Sequence, residues 1–283
     1  SNTVIGTGGN VWFYSPGGIL IGSTAVLDVG GLVLSAADIG FSNPATSATS
    51  LISLAPSSPN ATIDIFSGDV TTTDYLAVLA PGILQAGSVV AGGDVSYVAA
   101  EQADISLSGL TDITVSSGTG LTNALTHSGS TIVTVNGAFS RRVSLLIGPK
   151  NQNALFDMTG GSIEFNLGGG AVASAQRIFI GAGANIAPAR STQPTGGLGS
   201  ANLALAGGSF SSTAGVATSI TAARSFTLAG ASSFGGDLDI DSVGGTVGIT
   251  TSSGSSSFSG GVSITSAGNV SLIASGASQS LGF

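Results

Sequence analysis

Apolar and polar residues alternate with a period of two through much of this chain. Ala61-Thr62-Ile63-Asp64-Ile65-Phe66, Ala103-Asp104-Ile105-Ser106-Leu107, Thr131-Ile132-Val133-Thr134-Val135 and Val262-Ser263-Ile264-Thr265 each carry the signature of an extended strand with one buried face. Helical spacing is nearly absent, and the strong helix formers Glu, Lys, Gln, Arg and Met are scarce. Glycine pairs punctuate the strands, at Gly30-Gly31, Gly92-Gly93, Gly160-Gly161, Gly207-Gly208, Gly235-Gly236 and Gly260-Gly261. Short strands between tight turns suit a sandwich, a barrel or a solenoid.

An internal repeat chooses among the three. Phe210, Phe234 and Phe258 recur every 24 residues, each preceded by Ser and by an apolar run that includes Leu205, Leu228 or Ile249. A fixed period in the low twenties is the length of one coil of a β-solenoid, in which each coil buries its apolar residues against its neighbours. The three Phe are then expected to stack as a ladder. The fold expected is all-β, a single-stranded right-handed parallel β-helix of about ten to eleven coils of roughly 20–25 residues, a rod about 50 Å long. Residues 42–60, 187–200 and 148–153, rich in Pro, Gly and small polar residues, read as excursions from the coil.

Composition narrows the functions. The chain has 283 residues and 42% hydrophobic side chains, enough for a sizeable core. Charge is sparse, with 14 acids, 6 bases and a net charge of -8. All six bases (Arg141, Arg142, Lys150, Arg177, Arg190, Arg224) lie beyond residue 140. Such a balance argues against nucleic acid and against an anionic membrane surface as partners. Cysteine is absent, which excludes disulfides and thiolate metal sites and suits a chain exported unfolded. No segment reads as a membrane span, and Tyr75–Gly93, the most apolar window, is broken by Pro81, Gln85 and glycines. Ser1-Asn2-Thr3 opens no export signal, so one is expected to have been removed or to lie outside these residues.

Tyr14-Ser15-Pro16-Gly17-Gly18-Ile19-Leu20-Ile21-Gly22, followed by Ala25-Val26-Leu27-Asp28-Val29-Gly30-Gly31-Leu32-Val33-Leu34-Ser35-Ala36-Ala37-Asp38-Ile39, resembles the secretion domain of filamentous-haemagglutinin-like exoproteins of two-partner secretion. The first block is similar to that family's Asn-Pro-Asn-Gly-Ile signature, with Pro16, Gly18 and Ile19 matching and Ser15 and Gly17 standing where the family has Asn. Tyr75–Pro81 and Gly93–Ala100 look like later coils of the same domain, so the resemblance covers roughly residues 10–107. It implies export through an outer-membrane transporter, an extracellular or outer-surface location, and a structural, adhesive role with host or bacterial glycans or proteins as partners. Residues 1–107 are then secretion-domain-like coils and 108–283 a continuing shaft. Without the family, Pro16 with Gly17 and Gly18 reads as a tight corner, the glycines able to take positive φ.

Catalytic constellations are not expected, nor is a cofactor or a resident metal. His127, the only histidine, has no nucleophile elbow to serve and reads as an exposed turn residue. Asp237, Asp239 and Asp241 alternate with Leu238 and Ile240 and so share one face of a strand, where they read as a solvated edge with weak Ca²⁺ or glycan contact as the alternative. Trp12-Phe13-Tyr14 is read as packing rather than as a sugar platform, and Arg141-Arg142 as a coil-edge pair that could otherwise grip an acidic glycan. The expected function is a section of an adhesin or surface-fibre rod. The alternatives are a self-assembling extracellular filament, with end-to-end homo-association, and a β-helical polysaccharide-binding or polysaccharide-degrading protein.

Overall fold

Each coil consists of three short strands joined by tight corners, and equivalent strands of successive coils pair in parallel. The structure, a computed structural model, describes residues 3–6, 8–41, 51–54, 58–106, 110, 113–150, 153–183, 201–211, 213–251, 256–274 and 281–282. Stacking produces three ladders. Ladder I begins Thr3–Gly6, Val26–Val29, Asp69–Thr72, Ser88–Ala91, Ser130–Asn136 and Ser162–Gly168. Ladder II is a nine-stranded sheet from Val11–Tyr14 to Val262–Ser266, by way of Leu32–Ser35, Leu76–Ala80, Val95–Ala99, Arg142–Ile147, Arg177–Ala182, Ala217–Ala222 and Leu238–Ser242. Ladder III runs from Ile19–Ile21 through Thr62–Ile65, Gly82–Gln85, Leu125–His127 and Asn153–Asp157. Asn202–Phe210 and Phe226–Phe234 are long enough to turn the corner from ladder III into ladder I, with a register shift between Ala206 and Gly208. The architecture is a parallel β-helix.

The period-two pattern fills the interior. Ile63 and Ile65, Val133 and Val135, and Leu238 and Ile240 point inward and belong to one apolar cluster that runs from Ile21 to Phe258, crossing residue 107 without a break. The Phe repeat lands in register, Phe210 on Phe234 on Phe258, with ring centroids 4.9 and 5.5 Å apart and interplanar angles of 11° and 5°. Leu205, Leu228 and Ile249 stack beside them. At the far end Val270, Leu272 and Ile273 are exposed.

Bare coils are short: Leu76 to Val95 is 19 residues (95 − 76), Thr218 to Leu238 is 20 (238 − 218) and Leu238 to Val262 is 24 (262 − 238). Others are long, 44 residues from Leu32 to Leu76 (76 − 32) and 48 from Val95 to Val143 (143 − 95), and these account for nine rungs in ladder II where an even division gives ten to eleven. The two longest coils carry inserted strands. Ile39–Phe41, Leu51–Leu54, Gln102–Ser106 and Ile113–Ser117 form a four-stranded antiparallel sheet outside the helix. Ala103–Ser106 of that alternation is therefore part of a strand of this outer sheet rather than of a coil, and Leu107 lies outside the described residues.

The outer sheet explains why Leu76-Ala77-Val78-Leu79-Ala80 and Val95-Ser96-Tyr97-Val98-Ala99 are buried at every position. Leu76, Val78 and Val95 face the coil interior, whereas Ala77, Leu79, Val98 and Leu146 face outward and form a second apolar cluster with Ala103, Ile105, Ile113 and Val115. A parallel sheet covered on both faces reads as a continuous apolar run, with no alternation. Trp12 joins the edge of this cluster, donating from Nε1 to the Tyr75 hydroxyl at 3.0 Å. The expected excursion at 42–60 thus contains one strand of the outer sheet, with 42–50 and 55–57 outside the described residues. Residues 187–200 also lie outside them. In the third excursion Lys150 donates its backbone N–H to Thr119, and 151–152 are not described.

Candidate functional site

The corner at residues 15–18 joins ladder II to ladder III. Gly18 donates its N–H to the Ser15 carbonyl at 3.0 Å, closing a turn around Pro16 and Gly17 and sending the chain into Ile19–Ile21. Only one of the two glycines takes positive φ: Gly18 lies at +101°, and a Cβ there would collide with the Thr62 carbonyl of the next coil, whereas a Cβ on Gly17 would meet open space. Gly18→Ala is expected to lower stability by roughly 2 kcal/mol, and Gly17→Ala to leave it within about 0.5 kcal/mol, as read from denaturant midpoints. Equal effects would contradict this account of the corner.

Asp239 and Asp241 project from the outer face of ladder II between the buried Leu238 and Ile240, and Asp237 lies in the corner just before them, where its Oδ1 accepts the Gly261 N–H at 2.8 Å. Asp237 and Asp239 are exposed and Asp241 is half-buried. Among the described residues no group of three or more His, Cys, Asp or Glu is arranged to hold a metal ion. In Trp12-Phe13-Tyr14 the indole is half-buried, and Phe13 and Tyr14 are exposed.

His127 is not an exposed turn residue. It closes the strand Leu125–His127 and is fully buried, because the alternation Leu125-Thr126-His127 puts it on the inward face beside Leu125. Its Nε2 lies 2.8 Å from Thr131 Oγ1, which lies 2.9 Å from the Tyr97 hydroxyl, and the Tyr97 and His127 rings meet edge to face at 5.8 Å. Gln85 pairs with His127 in register on the neighbouring rung and donates from Nε2 to the Gly87 and Ser130 carbonyls. All three ladders thus contribute to a polar knot inside the core. Burial pushes the imidazole pKa down to about 4 and raises that of the Tyr97 phenol. The same alternation, Ile83-Leu84-Gln85, is the signal that would have placed the knot. His127 is thus fully buried and oriented into the core.

Charged side chains gather on the two edges of ladder II. Lys150 Nζ bonds both carboxylate oxygens of the buried Glu101 at 2.6 Å, pinning the 148–150 loop against the outer sheet. At the opposite edge Asp94 accepts the backbone N–H of Arg142 at 2.8 Å, and Arg142 pairs in register with Arg177. Burial lifts the Asp94 carboxyl to about 6 despite the nearby Arg142 and Arg141.

No family model, curated protein or solved structure matches the chain. Among the described residues no helix is long and apolar enough to cross a membrane.

Proposed function

We propose that this chain is a section of a secreted or surface-displayed bacterial adhesin rod, exported by two-partner secretion and acting as scaffold and binding surface without catalysis. The observation that carries the reading is where the resembling blocks fall. Val11–Tyr14, Leu32–Ser35, Leu76–Ala80 and Val95–Ala99 are four consecutive rungs of one ladder, and Pro16, Gly18 and Ile19 form the corner between its first rung and ladder III. The blocks are dispersed in sequence yet assemble one continuous wall, as coils of a single secretion domain would. A parallel β-helix also suits export: each coil buries its apolar face on the preceding one, so an emerging chain can add coils in order.

Expression of the chain behind an export signal in a Gram-negative host, with and without its partner outer-membrane transporter, tests the route. The chain is expected in the medium or on the surface only with the transporter. Periplasmic retention in both cases, or release in both, would overturn it.

A further inference from the structure

The edge of ladder II at its fifth and sixth rungs gathers cationic and aromatic side chains on a protein that is otherwise acidic. Arg142 opens the rung Arg142–Ile147, and since Val143, Leu145 and Ile147 fill the core, its side chain projects from the outer face. Arg177 pairs with it on the next rung, about 4.8 Å away, with Ile178 and Ile180 pointing inward. Phe179 therefore stands on the outer face beside Arg177, half-exposed and flanked in register by Ser144 and Ser219. Arg141, in the preceding corner, lies over the Phe139 ring at 5.1 Å, and that ring is 57% exposed.

The corner is held from behind. Gln176 is fully buried, its Oε1 accepting the Arg141 N–H at 2.7 Å and its Nε2 donating to the Phe139 and Val172 carbonyls. This clamp fixes the two arginine-bearing segments to each other and spares the guanidinium groups that task. Arg177 bonds the Ser174 and Gln176 carbonyls through Nη1. Arg141 and Arg142 are half-exposed residues, although Arg141 Nε and Arg142 Nη1 are themselves shielded. A planar guanidinium at such an edge matches a carboxylate or sulfate.

We infer that Arg142 and Arg177, with Arg141 and the Phe139 and Phe179 rings, form a binding corner for an acidic saccharide, one bearing uronate or sulfate groups. Charge selects the anion, and the exposed Phe139 ring with the half-exposed Phe179 ring supplies apolar faces on which sugars stack. Beyond the sixth rung the outer face of ladder II continues through Ala217, Ser219 and Thr221, small residues that leave room for a chain lying along the rod. Asp94 is the internal competitor, a carboxylate on the adjoining rung whose backbone bond to Arg142 places it beside the arginines. The inference deepens the adhesive reading by naming its ligand class. Its test does not depend on where the chain is displayed, just as the export test is indifferent to the arginines.

The full chain is passed over immobilised polygalacturonate, dextran sulfate and neutral dextran at low and physiological salt. Binding is expected to one or both acidic polymers and not to dextran, and to weaken with salt; the two acidic arms separate uronate from sulfate recognition. Arg142→Gln/Arg177→Gln is expected to weaken binding at least about tenfold, and Asp94→Asn to strengthen it by about two- to fivefold. Lys150→Gln removes one unit of charge, as Arg177→Gln does, from an arginine-free edge and should leave binding unchanged. Should the double variant misfold, Arg177→Gln alone carries the test, since among the described residues its side chain bonds local carbonyls. Failure to bind either acidic polymer, equal binding to dextran, full binding by the arginine variants, or tighter binding to duplex DNA would overturn the inference.

Discussion

Phe234→Ala is expected to cost about 3–5 kcal/mol and to loosen the coils that follow residue 201 before it affects those that precede it. Phe234 is 1% exposed and lies between two parallel rings, so truncation removes its own buried area, leaves a cavity on the coil axis and breaks both stacking contacts at once. Solenoid coils are stabilised by their nearest neighbours, so the lesion weakens the joint between the Phe210 and Phe258 coils far more than any joint among the first four rungs. Hydrogen exchange should show protection falling over 201–274 and persisting over 26–99, with a lower denaturant midpoint. Phe234→Leu, which keeps most of the volume, should cost markedly less. A loss below about 1 kcal/mol for the alanine variant, or uniform loss of protection along the chain, would contradict the picture of a ladder whose rungs depend on their neighbours.

The second large effect is one that the wild type conceals. His127 has its pKa pushed down to about 4 by burial, from 6.5 in the unfolded chain. Between those values the unfolded state binds the extra proton, so the stability of the neutral imidazole is fully present above about pH 6.5 and is lost as pH falls toward 4. Asp94 acts in the opposite sense. Burial raises its pKa to about 6 from 3.8, so its contribution is fully present below about pH 3.8 and is lost as pH rises through 6. Each shift corresponds to roughly 3 kcal/mol, and the windows overlap, so the two contributions nearly cancel between pH 4 and 6. Asp94→Asn keeps an acceptor for the Arg142 N–H and removes one of the opposing groups. Its unfolding free energy is expected to rise by about 3 kcal/mol from pH 4 to 6.5, against a nearly flat contribution from the pair in the wild type. Chemical denaturation at a series of pH values measures this. A variant with no steeper pH dependence than the wild type would refute the assignment.

The shaft was the legible part of this protein. Where strands have one buried face, as at Thr131–Val135 or Val262–Thr265, alternation marks them directly, and the Phe210, Phe234 and Phe258 period fixed their stacking register. Three features were less legible, each for a physical reason. The antiparallel sheet formed by Gln102–Ser106 and its neighbours alternates as a coil strand does, and only the unbroken apolar runs at Leu76–Ala80 and Val95–Ala99 signal that something must cover their outer face. Even division into coils overcounted the rungs because the inserts occupy chain length without adding rungs. The flanking Ser128-Gly129 signals a turn at His127, whereas the inward position of Leu125 two residues earlier places it in the core.

The site is legible to a smaller degree. Adjacent Arg141 and Arg142 are visible in the sequence, but Arg177 is a neighbour of Arg142 only because the intervening 35 residues (177 − 142) make one coil. Gln176, which holds the corner from within, gives no sign of that role until the Phe139 carbonyl and the Arg141 N–H are seen around it. A solenoid brings together residues one coil apart, and coil length varies here from 19 to 48 residues, so fixed spacing cannot find such partners.

The proposed display of this rod at the cell surface is measured most directly by protease shaving of intact cells that express the chain. Limited digestion followed by detection with an antibody to the chain should remove the signal from unpermeabilised cells while a periplasmic marker stays intact. A chain that resists digestion until the outer membrane is permeabilised, and is then cut, would contradict the surface assignment.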